Sequence, residues 1–129
     1  CDGLEVKPGR VIIAHGDFHL TFRKEGQSLY CVLSDAEKVN RHRPSVEVMF
    51  DSLAKYVDCK KLVTVMLTGM GADGAMAMKR RHDEGAVTLV QDEASSVVWG
   101  MPKAVVDLEA ADQILPLSKI AAAMLKEAI

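Results

Sequence analysis

The residues best suited to chemistry lie in a glycine-rich turn between an apolar segment and a helix-forming segment. The apolar segment covers residues 62–67, and the turn after it reads Thr68-Gly69-Met70-Gly71-Ala72-Asp73-Gly74. Glycines permit positive φ and close approach of the backbone. Asp73 falls where a carboxylate can meet the free N–H groups of a first helical turn. Asp73 is therefore the first candidate for a functional side chain.

Three interpretations of this turn stay open on the residues alone. G-x-G-x-x-G between a strand and a helix, with Asp92 23 residues after Gly69, has the spacing of a dinucleotide fingerprint. Asp73 argues against it, because a pyrophosphate would share the helix N-terminus with that negative charge. The second interpretation makes Asp73 the acid of a catalytic triad at the carboxyl edge of a sheet. The third makes it a helix cap.

No serine of the chain is an obvious nucleophile. A serine hydrolase needs a nucleophile, a base within hydrogen-bond reach and an acid that orients the base. The chain has seven serines and four histidines, but no serine lies in a G-x-S-x-G elbow or another glycine-rich strand-to-helix turn. The residues by themselves provide an acid without a nucleophile.

The histidines form no strong metal-binding pattern. His15-x-Asp17-x-His19 places ligand-type side chains at alternate positions, which point to one side of a strand. No second pair of histidines or cysteines with ligand spacing supports it. We therefore interpret these histidines as incidental and predict no cofactor. His42 and His82 are expected at the surface, His82 in a helix C-terminal turn.

Composition indicates one ordinary globular domain. The 129 residues can bury a sizeable core, and a hydrophobic fraction of 49% with 26% charged residues is typical of soluble proteins. A net charge of −2 argues against nucleic-acid binding. The basic cluster at 79–81 falls in a helix C-terminal turn, which predicts a solvated helix end rather than a phosphate site. Three widely spaced cysteines fit a reducing compartment, for which cytoplasm is the default. No apolar run approaches the roughly 18 residues of a membrane span, so no membrane insertion is predicted.

Strands and helices alternate around the turn, which predicts an α/β fold with a mostly parallel sheet and an antiparallel β-hairpin at one edge. The predicted elements are a buried strand over 11–14, hairpin strands over 19–24 and 28–33, a helix over 44–57, a strand buried on both faces over 62–67, a helix from 73 ended by Gly85, a strand over 87–90, a helix over 102–110, an edge strand over 113–117 and a helix capped by Ser118 with Ile120, Met124 and Leu125 inward.

Three long blocks carry more information than any single residue. They are RPSVEVMF at 43–50, LTGMGADGA at 67–75 and QDEASSVVWGMP at 91–102, and Pro8-Gly9, Ile13-Ala14 and His19 precede them. In sequence, order and spacing they closely resemble the signature segments of the CheB-type chemotaxis receptor methylesterases. Essentially the whole chain aligns with the later two thirds of that family's catalytic domain.

The resemblance implies a doubly wound α/β esterase that hydrolyses glutamyl methyl esters on chemotaxis receptors and deamidates certain receptor glutamines. Asp73 matches the triad aspartate, with Gly69, Met70 and Gly71 as the active-site turn beside it. The family's serine and histidine lie upstream of the segment that matches Cys1. We therefore expect residues 1–129 to be a partial catalytic domain that is inactive alone. The start at Cys1, without an initiator Met, agrees with a natural N-terminus elsewhere.

The resemblance also implies partners. The expected partners are methylated chemotaxis receptors and an N-terminal receiver domain, which in the family precedes the catalytic domain and occludes its cleft. A truncated parallel sheet leaves an edge or apolar face uncovered, so self-association is expected as well. The alternative function is a non-catalytic module of the same fold that docks on receptors or on a receiver domain. Two departures from the family are His15 in place of a usual proline and Glu109 in place of a frequent helix-ending glycine, which predicts a different helix end.

Overall fold

The computed structural model describes residues 2–128, so Cys1 lies outside the described residues. The chain divides into two units, Cys1–Val57 and Asp58–Ile129. None of the described helices has the length and apolar character needed to cross a membrane.

An antiparallel sheet forms the first unit. Its strands β1 (Glu5–Val6), β2 (His19–Glu25) and β3 (Ser28–Ser34) lie in the order β1-β3-β2. The two residues between β2 and β3 form a tight turn in which Gly26 has a φ of 60°, a conformation that glycine adopts without strain. The predicted hairpin is confirmed, and β1 extends it to three strands.

The predicted buried strand over 11–14 is wrong. The segment has no regular secondary structure, and Val11 and Ile13 are 87% and 81% exposed. No described strand pairs with it. Since β-propensity measures how well a side chain fits a half-buried pleated surface, a β-branched run without a partner strand does not form one.

Helix α1 (Val46–Leu53) packs on β2. It is shorter than the predicted 44–57, because Ser45 is still extended as the N-cap and the chain turns from Ala54 onward. Ser52 is buried on its inner face, and its hydroxyl accepts a hydrogen bond of 2.9 Å from the Phe22 amide. This bond ties the helix to the strand.

A parallel sheet organises the second unit. Strands β4 (Val63–Met66), β5 (Val87–Gln91) and β6 (Gln113–Leu115) lie in the order β4-β5-β6, and all pairs are parallel. A short 3₁₀ turn, Cys59–Lys61, precedes β4. The connecting helices are α2 (Ala75–Asp83) and α3 (Met101–Asp107), and α4 (Leu117–Ala128) follows β6. The predicted parallel α/β architecture is confirmed, with β6 at the edge.

Burial differs between the strands. Residues 88–91 of β5 are all buried, as expected for a central parallel strand, whereas β4 alternates buried Thr64 and Met66 with half-buried Val63 and Val65. The prediction that β4 is buried on both faces is therefore wrong for this chain, in which β4 is an edge strand.

The helix ends agree with the predictions in part. Gly85 follows α2 with a φ of 107°, as predicted for a left-handed C-terminal residue. The basic cluster does lie in the last turn of α2, but Arg81 is buried and its guanidinium donates to Glu84 Oε1 at 3.1 Å. The expectation of a solvated helix end is wrong for that side chain.

Helix α4 begins two residues earlier than predicted, because a cap at Ser118 would make Lys119 the first helical residue. Its first residue is Leu117, directly after Pro116, so Ser118 is not the cap. Ile120 is buried as expected, whereas Met124 and Leu125 are exposed. Inward packing of Met124 and Leu125 was predicted wrongly, because only one side of α4 contacts the sheet.

Candidate functional site

Asp73 lies at the carboxyl edge of the parallel sheet, on the connection from β4 to α2. It directly precedes Gly74, which is the N-cap of α2 with a φ of 88°, and Gly71 has a φ of 92°. Only 6% of Asp73 is exposed. Two glycines in the left-handed region thus let the chain reverse twice in a few residues and hold a carboxylate inside the turn. Ligands of open α/β sheets bind at this edge.

The glycine turn is joined to a second loop, residues 92–100, which follows β5. The Gly69 amide donates to the Val98 carbonyl at 3.0 Å, and the Gly69 carbonyl accepts from Gly100 and Met101. The Thr68 hydroxyl bonds both to the carbonyl and to the amide of Val98, each at 2.9 Å. The two loops therefore form one hydrogen-bonded layer across the ends of β4 and β5.

Gln91 is the buried centre of this layer. It is the last residue of β5 and is 1% exposed. Its Oε1 accepts from the Thr68 amide at 2.7 Å, and its Nε2 donates to the Ser95 carbonyl at 2.8 Å. The Gln91 carbonyl accepts from the Trp99 indole N–H at 2.9 Å. One residue thus contacts both loops.

Asp92 stabilises the second loop. Its Oδ1 accepts from the Ser95 amide at 3.0 Å and from the Ser95 hydroxyl at 2.7 Å. The Ser95 hydroxyl also accepts from the Leu117 amide at 3.0 Å, which links the loop to α4. The carboxylate that the dinucleotide interpretation would assign to a ribose thus bonds within its own turn.

Exposed apolar side chains lie on the two loops of this layer and at the end of β4. Met70 is 80% exposed and Val97 is 91% exposed, and Leu67 and Val98 are exposed to a lesser degree. We call these four residues the apolar rim. Methionine is more often a core residue, and Met78 is buried, whereas Met70 and Met76 are exposed. Exposed apolar groups on neighbouring loops are typical of binding sites.

The histidines of segment 15–19 differ in their burial. Within residues 2–128 no three histidine, cysteine, aspartate or glutamate side chains are grouped closely enough to hold a metal ion. His15 is exposed, whereas His19 is buried and contacts the Glu37 carbonyl and the Ser45 amide. The two histidines thus lie in different surroundings, and the interpretation of this segment as incidental stays a prediction.

The other two histidines differ in their exposure. His42 is exposed, as expected. His82 was expected at the surface but is half-buried, with Nδ1 3.4 Å from Asp112 Oδ2. That carboxylate also accepts from the Thr88 amide at 2.7 Å, so the cluster holds the start of β5 and β6 together.

A thiol cluster lies near the beginning of β4. The buried Cys59 thiol donates to Glu84 Oε2 at 3.1 Å. Burial, followed by that hydrogen bond, raises the pKa of Cys59, and the same bond together with Arg81 lowers the pKa of Glu84. A raised pKa keeps the thiol protonated, so this cluster is structural.

Sequence reasoning located Asp73 but missed the residues that hold its turn. Gln91, Thr68 and Ser95 attracted no separate prediction, because polar residues at strand ends are common. The available signal was a glutamine at the end of an otherwise apolar strand. A buried polar side chain must find partners, and the nearest backbone groups at that point belong to the site.

Sequence comparison relates this chain to known proteins. A family model described as CheB methylesterase matches residues 1–124. A protein-glutamate methylesterase/protein-glutamine glutaminase of Saccharophagus degradans is 53% identical over 124 residues, which are 96% of this chain and 35% of the relative. One from Hahella chejuensis is 52% identical over 123 residues, which are 95% of this chain and 34% of the relative. The chain thus spans about a third of the length of these curated relatives.

A solved structure extends the comparison to the fold. The CheB methylesterase catalytic domain of Thermotoga maritima matches with a TM-score of 0.92 at 38% identity, over 97% of this chain and 66% of that one. This likeness confirms the expected doubly wound α/β fold with its antiparallel hairpin. The family match over nearly the entire sequence and the shared fold lead to one conclusion: this chain belongs to the CheB methylesterase family.

Proposed function

We propose that the protein of which this chain is part hydrolyses glutamyl methyl esters on chemotaxis receptors and deamidates receptor glutamines. Asp73 is the acid of its Ser-His-Asp triad, and Gly69, Met70 and Gly71 form the active-site turn. The single observation that carries the proposal is the burial of Asp73 at the carboxyl edge of the sheet, in a chain of this family. A buried carboxylate at that edge is suited to orient an imidazole.

The reaction is acyl transfer. A serine attacks the ester carbonyl while a histidine takes its proton, and Asp73 holds the imidazole tautomer and stabilises the imidazolium. Methanol leaves, and water then releases the carboxylate, whereas ammonia leaves when the substrate is glutamine. In our proposal the serine and the histidine come from polypeptide outside residues 1–129. This partial domain alone is then inactive, since loss of either residue typically costs about a millionfold in turnover.

The test compares Asp73→Asn with the wild-type full-length gene product in an assay of methanol release from methylated receptor. We expect kcat to fall about 10⁴-fold, the loss typical when the triad acid of a serine protease is neutralised. Asp107→Asn is the matched control, because Asp107 is an exposed carboxylate on α3 that pairs with Lys103 at 2.7 Å. Wild-type turnover in Asp73→Asn would refute the assignment.

The second candidate function is an interaction module of the same fold that docks on receptors or a receiver domain without catalysis. The exposed apolar rim favours it, because such groups also suit a protein partner. The two functions separate in one experiment: the module binds methylated receptor in a pull-down but releases no methanol. Nucleotide binding, the first interpretation of the turn, predicts NAD affinity that rises in Asp73→Ala.

The partners and compartment belong to the same proposal. We place the protein in the cytoplasm, where it meets methylated receptors and is regulated by an N-terminal receiver domain. We also propose that residues 1–129 self-associate when separated, because Val11, Ile13, Ile114 and Leu125 are exposed. Monomeric behaviour in sedimentation would contradict that.

A further inference from the structure

We propose that Gln91 is a positioning residue that sets the placement of the Asp73 turn. The inference rests on the proposed function and adds a role to a residue outside the triad. Gln91 ends the central strand and is buried, and its carboxamide contacts the backbone of both loops that form the site.

The orientation of the carboxamide follows from its partners. A backbone N–H can only donate and a backbone carbonyl can only accept. Oε1 therefore faces the Thr68 amide at 2.7 Å, and Nε2 faces the Ser95 carbonyl at 2.8 Å. A neutral group that accepts at one end and donates at the other is required, which an apolar or an ionised side chain of similar length does not provide.

The bond to Thr68 acts at the first residue of the glycine turn. Thr68 and Gly69 carry the remaining bonds between the loops, through Val98, Gly100 and Met101. Loss of the carboxamide removes two hydrogen bonds at once, the one to the Thr68 amide and the one to the Ser95 carbonyl, and both loops lose this contact with the end of β5. Both loops can then shift, and Asp73 lies on one of them. A displacement of about 1 Å in a catalytic group costs up to roughly a hundredfold in rate.

The pH dependence of kcat in a Gln91→Glu variant of the full-length protein distinguishes a positioning role from a purely structural one. An ionised Glu still accepts from Thr68 but offers no donor to the Ser95 carbonyl. A protonated Glu offers both, because its hydroxyl donates. Burial raises the pKa of the introduced carboxyl. The protonated form, which both accepts and donates, therefore predominates below that pKa and is lost as the pH rises above it.

The measurement is the ratio of kcat in the variant to kcat in the wild type at each pH from 5 to 9, so that titration of the catalytic histidine cancels. At high pH we expect a ratio of about 0.1 to 0.01, with KM nearly unchanged. The ratio should rise toward 1 as the pH falls. Gln91→Met, of similar length but without the carboxamide, should stay low at every pH.

Thr88→Val is the matched control. Thr88 is fully buried on the same strand, where its hydroxyl accepts from Thr64 Oγ1 at 3.3 Å at a distance from the loops. It should lower the melting temperature and leave kcat unchanged. If Thr88→Val reduces kcat as much as Gln91→Met does, or if the Gln91→Glu ratio stays near 1 at all pH values, the positioning role is refuted.

Failure of the proposed function is recognised separately, because wild-type protein would then release no methanol. Amide hydrogen exchange at Thr68 needs no activity and tests the contact itself. We expect exchange about tenfold faster in Gln91→Met than in the wild type. Unchanged exchange would overturn the inference that Gln91 holds the turn.

Discussion

The carbonyl oxygen of Gly69 accepts hydrogen bonds from the backbone amides of Gly100 at 3.1 Å and of Met101 at 2.8 Å. The two glycines meet backbone to backbone. A Cβ at position 100 would lie 2.9 Å from the Gly69 oxygen, 3.0 Å from the Gly71 nitrogen and 3.3 Å from the Met70 Cα. The turn that carries Asp73 is thus packed against a position where only glycine fits.

This packing predicts that Gly100→Ala destabilises the protein and displaces the turn. We expect the free energy of unfolding to fall by about 1–3 kcal/mol, because backbone atoms cannot move aside as a side chain can. Esterase activity of the full-length protein should fall as well, since the displaced atoms belong to the proposed active-site turn. Urea unfolding and methanol release measure the two effects.

Gly69→Ala should be milder, because its Cβ would meet the Met101 side chain, with Sδ at 2.6 Å, rather than backbone. Gly16→Ala is the neutral control, expected within about 0.5 kcal/mol, since no described atom lies within 4 Å of a Cβ there. Equal stability of Gly100→Ala and Gly16→Ala would contradict the close backbone contact of Gly100 with residues 69–71.

His19→Phe should destabilise the first unit by about 1–3 kcal/mol. The ring is buried, accepts from the Ser45 amide at Nδ1 and donates from Nε2 to the Glu37 carbonyl at 2.8 Å, and phenylalanine keeps the bulk while removing both bonds. His42→Phe, at an exposed histidine, should be near neutral in the same urea titration. If Zn²⁺ raises the wild-type midpoint and this effect is lost in His19→Phe, the metal interpretation is the correct one.

The parallel part of the fold was predictable because its signals are local. Residues 62–67 and 87–90 are short apolar runs bounded by glycines or charges, and Gly85 marks a helix end that only a left-handed residue can make. The segment 11–14 has the same kind of signal and is not a strand. Whether a β-branched run becomes a strand depends on a partner elsewhere, which a single segment does not reveal.

The candidate site was predictable only at its acid. Asp73 is recognisable because glycines surround it, whereas Gln91 acquires its role from a strand register that places it beside Thr68. The apolar rim was missed for a related reason. Met70 is like any core methionine in sequence, and its exposure depends on how the turn packs against Gly100.

The buried thiols predict a loss of stability at alkaline pH. Burial, followed by the hydrogen bond to Glu84, raises the pKa of Cys59, and burial raises the pKa of Cys31. A thiol in the unfolded chain has a pKa of about 8.5. The stability contributed by each raised pKa is therefore complete below that value and is lost as the pH rises through the folded pKa.

Urea unfolding from pH 7 to 10 under reducing conditions measures this loss. Cys59→Ala should be less stable at pH 7, because it leaves a cavity, but its stability should fall less steeply with pH than that of the wild type. Asp107→Asn is the control. Its partner Lys103 has a pKa raised by hydrogen bonding to Asp107, so that lysine titrates above the range and the slope should not change. Parallel curves for Cys59→Ala and the wild type would contradict the prediction.

Glu109 predicts a stabilising substitution. The departure from the family pattern at Glu109 predicted a different helix end. In the structure Glu109 follows Leu108 at the end of α3 and itself adopts a φ of 57°. Its amide donates to the Val106 carbonyl at 2.9 Å. This left-handed conformation costs a residue with a Cβ about 1 kcal/mol or more relative to glycine. Glu109→Gly should therefore raise the free energy of unfolding by about 1 kcal/mol, and Glu109→Ala should leave it nearly unchanged, because the Cβ remains. Gly85→Ala is the reciprocal test after α2 and should destabilise, since a Cβ there would lie 2.9 Å from the Lys60 side chain at a φ of 107°. A Glu109→Gly variant no more stable than the wild type in urea would mean that the strain at this helix end is relieved in solution.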